Sequence, residues 1–597
     1  MGTFELLSPN IQKKIWEMGW ESFTPVQDAA IPVIMNTDKD VVISSGTASG
    51  KTEAAFLPIL SKIEQEGIHK LKVIYISPLK ALINNQFERI IRLCERMDIP
   101  IHRWHGDVSA SRKKEFTKNP SGILLITPES IESLFINRTS HLSHIFKDVD
   151  FVVIDEIHSF IGSERGVQLR SLLSRIGEYT ITRPRIIGLS ATISNFEQVK
   201  QWINFECPNK VEIIQSKGYE KKLLYSLMYF EMDKSGKKPI ELFRDIRALT
   251  RDMKAIIFCN SRSDVEELTY FLNRMSQREN MGDCYFAYHS SIDKSGREYI
   301  EKIMMESKTP KSVVATSALE LGIDIGDVDI VIQLDNTFTV SSLKQRLGRS
   351  GRKKGSSQIL QLYATCEDSL LQSLAVMELN LDGWVEPASE YGKPYDIAFH
   401  QIISLCAEYN GLKLEQIMEK LFSCSVFQTL DRKKVHELII YMIEKDILEF
   451  IRGTGEIIVG LRGEKILRSK DFYAVFMTAE EYTVLKGAKK IGMLDKNSII
   501  NVGDNIILAG KLWTIKDIDD NRNRVYVSEA VDGKPPRYTG GGINIHPRIG
   551  EKMMEILCTD ISFNYIDEKA KNVLDDMRRK YHYEALTVDE RPIWIMK

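Results

Sequence analysis

Val41-Val42-Ile43-Ser44-Ser45-Gly46-Thr47-Ala48-Ser49-Gly50-Lys51-Thr52 decides the fold class. β-Branched residues run into a loop of small residues, then Gly50-Lys51-Thr52, then an apolar helical segment from Ala54 to Leu60. The order reads as strand, phosphate loop, helix. Small side chains let the backbone N–H groups of Ser45, Gly46, Thr47, Ala48, Ser49 and Gly50 close around phosphate oxygens, and the helix N-terminus adds a favourable field. Lys51 is expected to reach the β- and γ-phosphates, and the Thr52 hydroxyl to hold Mg2+.

Further on, Phe151-Val152-Val153-Ile154-Asp155-Glu156-Ile157-His158 places two acids after four apolar residues. Such a run predicts a buried parallel strand, and ligands of open α/β sheets bind at its C-terminal end. Asp155 is expected to hold Mg2+ through water, and Glu156 to polarise the attacking water. Phe23-Thr24-Pro25-Val26-Gln27 lies just upstream of the loop. A glutamine there can take both hydrogen bonds of an adenine edge, which selects ATP.

The chain has 597 residues, enough for about four domains, with 43% hydrophobic and 27% charged residues, ordinary values for a globular protein. Its 80 basic and 82 acidic side chains leave a formal net charge of −2, so any nucleic-acid contact has to come from a local cleft. The eight cysteines show no CxxC or Cys/His ligand spacing, which argues against zinc, iron–sulfur and disulfide scaffolds and fits a reducing cytoplasm. The first residues carry early acids and no apolar core of a signal peptide, and no apolar run is long enough to span a membrane.

Apolar strands alternate with amphipathic helices over residues 1–215, with strands predicted at 41–44, 73–77, 122–127, 151–155 and 185–190. A second alternating block, 216–385, has strands predicted at 255–259, 284–288, 312–315, 330–333 and 358–363. Each block reads as an α/β parallel sheet. From 386 to 462, three helical stretches and a hairpin around Gly453-Thr454-Gly455 point to a winged helix. Short β-like runs at 472–477, 504–510, 512–518 and 524–529 point to a small β-domain over 463–545, and 546–597 returns to helix.

Ser77-Pro78-Leu79-Lys80 and Thr127-Pro128-Glu129 follow predicted strands. They read either as helix N-caps or as turns whose N–H groups and hydroxyls grip backbone phosphates of a nucleic acid. Ser190-Ala191-Thr192 sits beside the acids and is placed to couple nucleotide state to that face. In the second block, Ser261-Arg262 and Thr316-Ser317 end strands and are expected to contact the nucleic-acid strand, and Gln345-Arg346-Leu347-Gly348-Arg349-Ser350-Gly351-Arg352 follows. Arg349 and Arg352 are expected to share a helical face and to clamp developing γ-phosphate charge. Trp513, in an alternating run, reads equally as a core residue or as a stacking platform for a base.

This ordered set resembles the superfamily 2 DEAD/DEAH-box helicases, and among them the Lhr-type (long helicase-related) helicases. The resemblance rests on Gly50-Lys51-Thr52-Glu53-Ala54-Ala55-Phe56-Leu57-Pro58, Ser77-Pro78-Leu79-Lys80-Ala81-Leu82, Asp155-Glu156-Ile157-His158, Ser190-Ala191-Thr192-Ile193 and Leu319-Glu320-Leu321-Gly322-Ile323-Asp324. It extends to Ile491–Asp495 and Gly503–Trp513, and so covers about residues 15–540. Ser45, Gly46 and Ala48 depart from the usual loop, and Arg352 stands where Lhr-type chains carry histidine. The resemblance implies two RecA-like lobes that sandwich Mg-ATP, with Gly322 and Asp324 on the ATP side and Gln345 and Arg346 in coupling. It also implies 3′-to-5′ movement on single-stranded DNA and opening of DNA or RNA:DNA duplexes. DNA repair and anti-phage defence, with their protein partners, stay open. So do two alternatives: an RNA helicase and a DNA-binding scaffold without turnover.

Overall fold

The computed structural model describes residues 2–46, 49–191, 193–216, 221–234, 236–307, 309–320, 325–351, 356–475, 481–496, 500–520, 522–530 and 545–580, except 67–69. By packing, the chain forms two compact units. The first joins residues 1–219 with 387–478, and the second joins 220–386 with 479–597.

The first unit is built on a seven-stranded, fully parallel sheet of β1 (Asp40–Ser44), β2 (Leu71–Ile76), β3 (Ile101–Trp104), β4 (Gly122–Ile126), β5 (Phe151–Ile154), β6 (Arg185–Ser190) and β7 (Val211–Gln215). Its spatial order is β3-β4-β2-β5-β6-β1-β7. The interior strands β1, β4, β5 and β6 are buried along their whole length, as expected where helices cover both faces. The helix Lys51–Glu66 starts directly after the phosphate loop. The order puts β1, β6 and β5 side by side, so the loop after β1 and the acids after β5 emerge at one edge.

The second unit has a six-stranded parallel sheet of β8 (Leu223–Tyr229), β9 (Ala255–Phe258), β10 (Tyr285–Tyr288), β11 (Ser312–Ala315), β12 (Ile330–Leu334) and β13 (Gln358–Ala364), ordered β10-β11-β9-β12-β13-β8. The two lobes are RecA-like α/β sheets. The edge strands β3, β7 and β8 were not expected from the sequence. The edge of β8 is not bare: Leu227 N–H donates to the Tyr565 carbonyl at 2.8 Å and Asp567 N–H to the Leu227 carbonyl at 3.1 Å.

Each lobe carries a further module. In the first unit, helices Tyr395–Glu408, Leu414–Ser423 and Arg432–Glu444 are followed by the hairpin Leu448–Ile451 and Glu456–Val459, which Leu412–Lys413 extends to three strands. Of the 472–477 run expected as a strand, Phe472 to Ala474 belong to a 3-10 turn, Lys470–Ala474, and residues 476 and 477 lie outside the described residues. Ser469 caps that turn, and Phe472 leaves it to stack on His400 with ring centroids 4.1 Å apart, inside the helical core. In the second unit, Glu481–Lys486, Lys489–Asp495, Asn505–Leu508, Lys511–Asp519 and Arg524–Glu529 form a five-stranded sheet, and helices Pro547–Cys558 and Glu568–Lys580 pack on the lobe.

The joint in the first unit is ionic and dry. Arg175 is sunk between Glu132 and Glu408, with the closest nitrogen–oxygen approaches at 3.2 and 2.6 Å. Gln401 and Ser404 accept further N–H groups of Arg175 at 2.9 and 3.0 Å. Neutralising one member of such a cluster strands buried charge. Arg175→Met should therefore cost about 3–5 kcal/mol of stability, checked by thermal or denaturant unfolding of the full chain.

Candidate nucleotide site and nucleic-acid face

Gly50 is held at φ +88°, and a Cβ there would lie 2.5 Å from Nε2 of Gln27, so glycine is required at the turn into the helix. The segment before the lobe braces this loop. Thr24 Oγ1 donates to the Ser49 carbonyl at 2.9 Å, and Gln27 Nε2 to the Gly50 carbonyl at 3.4 Å. Gln27 Oε1 accepts the Thr24 N–H at 2.9 Å, and only 2% of the residue is exposed. The amide thus serves a helix cap and the phosphate loop, a role beside the one expected of it at the adenine edge.

Lys51 Nζ donates to the carbonyls of Ser45 and Gly46 at 2.7 and 2.9 Å. Burial lowers its pKa, while Glu156 and Asp155 pull the other way, so the cation feels both acids. Among the described residues, the hydroxyls of Ser45 and Ser49 are buried with no hydrogen-bond partner. Buried polar groups are normally paired, and two orphans in one small-residue loop fit a site made for an oxygen-rich ligand. Thr47 and Ala48 lie outside the described residues.

Asp155 follows β5, 7% exposed. Burial first, then Glu156, pushes its carboxyl up to about 6, against the Tyr75 hydrogen bond and Lys51. Glu156 takes a left-handed backbone, φ 47°, which a non-glycine residue adopts only where the surroundings hold it. Its N–H donates to Asp155 Oδ1 at 3.0 Å. His158 follows, pushed down to about 4 by burial and then by Lys51, so the ring is neutral at pH 7. Its Nδ1 lies 3.0 Å from Ser190 Oγ and 3.5 Å from Glu156 Oε2. The Ser190 carbonyl accepts the Ser45 N–H at 3.2 Å. Ser190 thus joins the phosphate loop to the acids, while Thr192 lies outside the described residues.

Among the described residues no cluster of three or more His, Cys, Asp or Glu side chains could hold a metal alone. Mg2+ needs none, because it is bound through one or two carboxylates together with substrate phosphates. The Thr52 hydroxyl and the Asp155 carboxylate are oxygen donors of the kind it takes.

The two turns on the same lobe are tied together. Arg165 donates from Nε to Glu129 at 2.8 Å and from Nη2 to the Pro78 carbonyl at 2.9 Å. The Ser77 hydroxyl is buried without a partner, Thr127 Oγ1 donates to Ser130 at 3.1 Å, Pro128 opens the helix Pro128–Asn137, and Lys80 sits 3.7 Å from Asp107. Arg165 has no motif around it that a single sequence could flag.

In the second lobe Ser261 caps the helix Arg262–Arg278. Arg262 is not open to a strand as expected: its Nη1 reaches Ser291 at 2.6 Å and Glu481 at 2.9 Å, pinning the β-module. Thr316 is half-buried and Ser317 exposed. The helix through Arg349 and Arg352 is also corrected. It ends at Leu347, Gly348 turns the chain, and Arg349 lies beyond, its Nη2 donating to the Glu320 carbonyl at 2.5 Å. Arg346 is buried on Glu320 and Gln333, and Gln345 is half-buried. Gly322, Asp324 and Arg352 lie outside the described residues. Trp513 is core: 5% exposed, packed among Val484, Ile506, Ile515 and Val527, with Nε1 donating to the Leu508 carbonyl at 2.9 Å.

The family description "DEAD/DEAH box helicase" matches residues 24–200, and "Helicase conserved C-terminal domain" matches 238–354. An ATP-dependent helicase Lhr-Core of Saccharolobus solfataricus is 28% identical over 571 residues, covering 89% of this chain and 63% of the relative. Together these matches support a superfamily 2 helicase of the Lhr type. A solved Mycobacterium smegmatis helicase Lhr, bound to ssDNA and AMP-PNP, superposes with TM-score 0.70 at 24% identity, covering 81% of this chain and 64% of that one. The DUF1998 helicase MrfA, solved bound to DNA, gives TM-score 0.71 at 18% identity, covering 88% and 74%. At these identities the two structures bear on the fold alone. The Lhr-type chain spans less than two thirds of its Lhr-Core relative. Among its described residues no helix is long and apolar enough to cross a membrane.

Three variants test these assignments. Lys51→Ala should abolish ATP turnover, and Glu156→Gln should keep nucleotide binding while hydrolysis falls by orders of magnitude, read by phosphate release beside fluorescent-nucleotide binding. Trp513→Ala should lower stability by about 3–5 kcal/mol and leave strand affinity unchanged, read by melting and binding on one preparation.

Proposed function

We propose that this chain is an ATP-driven nucleic-acid translocase and helicase. It moves 3′ to 5′ on single-stranded DNA and opens DNA or RNA:DNA duplexes. The observation that carries the reading is the meeting of Lys51, Asp155 and Glu156 at the loop whose Ser45 and Ser49 hydroxyls are buried and unpaired.

In this reading Lys51 leaves the Ser45 and Gly46 carbonyls for the β- and γ-phosphates, and the backbone of residues 45–50 wraps them. Thr52 and Asp155 would hold Mg2+, which would neutralise phosphate charge when bound. Glu156, fixed by its left-handed backbone, orients water and takes its proton. The neutral His158 passes the state of the acids to Ser190. Arg349 and Arg352 of the second lobe stabilise charge developing on the γ-phosphoryl group, with Gly322 and Asp324 beside the nucleotide and Gln345 and Arg346 in coupling.

The strand lies on Ser77, Pro78, Lys80, Thr127, Pro128 and Glu129 of the first lobe and on Ser261, Thr316 and Ser317 of the second. A closing and opening cycle ratchets it along its sugar-phosphate backbone. The three helices and hairpin after residue 386 act as a winged helix that follows the first lobe. DNA as the substrate rests on the resemblance of the motifs to Lhr-type helicases. The setting is the cytoplasm, in DNA repair or anti-phage defence, beside the protein partners of such a system.

Turnover should rise on adding single-stranded DNA and fall as salt rises, since phosphate contacts supply most of the affinity. A 3′-tailed duplex should be opened and a 5′-tailed one left intact in a strand-displacement assay. Stimulation by RNA alone would make the chain an RNA helicase, and strand binding without any turnover would make it a scaffold.

A further inference from the structure

Tyr75 sits on β2, adjacent to β5, and is fully buried, its ring 5.9 Å from that of Phe56. A buried phenol has to find an acceptor. This one donates to Oδ2 of Asp155. The other oxygen, Oδ1, accepts the Glu156 N–H at 3.0 Å. The terminal torsion of an aspartate is otherwise broad, so two donors on rigid backbone choose one orientation of the carboxylate. Phenylalanine would fill the same volume in the core, which leaves orientation as the work of the hydroxyl. The strand also fixes the backbone: the Ile76 carbonyl accepts the Asp155 N–H at 2.8 Å, immediately before the Ser77-Pro78 turn. One strand therefore holds the acid by main chain and side chain, then continues into the proposed strand-binding turn.

We propose that Tyr75 is a positioning residue that aims the Asp155 carboxylate at the magnesium of Mg-ATP. The inference rests on the ATPase reading above. Tyr75 touches no nucleotide in this scheme and acts through Asp155 alone.

The experiment is a Mg2+ titration of fluorescent-ATP-analogue binding to the full chain, using wild type, Tyr75→Phe, Asp155→Asn and the double variant, each with a melting curve. Binding rather than turnover is the readout. Tyr75→Phe should raise the half-saturating Mg2+ concentration about tenfold, the share of one hydrogen bond to a charged acceptor. Affinity for the metal-free nucleotide should not move. The double variant should need no more Mg2+ than Asp155→Asn, because the hydroxyl has nothing left to aim. An unchanged Mg2+ requirement in Tyr75→Phe overturns the proposal, whether or not the melting temperature falls. Additive effects in the double variant overturn it as well, since they show a route that bypasses Asp155. A wild-type chain that binds no Mg-nucleotide refutes the ATPase reading itself, a result distinct from either.

Discussion

Two carboxylates side by side at the end of a buried strand repel each other and lose their hydration. Much of the first lobe is arranged around that cost. Lys51 brings a cation to the pair, Tyr75 and a backbone N–H bind the oxygens of Asp155, and His158 stays neutral because burial and Lys51 oppose its protonation. The left-handed backbone of Glu156 belongs to the same arrangement, because its N–H is held on the first acid. A site in this condition favours the arrival of a divalent cation and a polyphosphate, which supply the missing charge balance.

Charge burial also explains how the appended modules are attached. The helices after residue 386 reach the first lobe through Arg175, with both carboxylates from opposite sides of the joint. The β-module reaches the second lobe through Glu266, which is fully buried and accepts the N–H groups of Ala509 and Gly510, each at 2.6 Å, together with His289 at 2.8 Å. Such bonds are directional and dry, so slippage at either joint would leave an unpaired charge. Each module is therefore an extension of its own lobe, and motion of a lobe moves its module as well.

The sequence made the interior of both sheets legible because interior parallel strands are continuous apolar runs. Three of the four edges of the two lobe sheets were missed for the same reason. β3, β7 and β8 each mix buried and half-buried positions, as in Leu223–Tyr229, and carry no clean period. In the site, chemistry-bearing residues were legible where they sit in short motifs: Lys51, Asp155, Glu156, Ser190. What escaped was set by distant packing. Tyr75 and Arg165 act through partners 80 and 36 residues away. Arg262 and Trp513 have suitable chemistry for a strand contact, and tertiary structure uses them otherwise. Gly348 ended a helix that the spacing of arginines alone extended.

The contact between β8 and residues 565–567 covers part of a sheet edge. An uncovered sheet edge offers a row of N–H and C=O groups to any extended chain. Here a distant stretch of the same polypeptide takes both the N–H and the C=O of Leu227, and Asp567 adds a carboxylate acceptor for the Tyr229 N–H at 3.2 Å. Until ribosomal synthesis has passed residue 567, the nascent second lobe presents that edge uncovered. The interval between its collapse and the arrival of this segment is the period in which self-association competes with folding, and when a chaperone has most to protect.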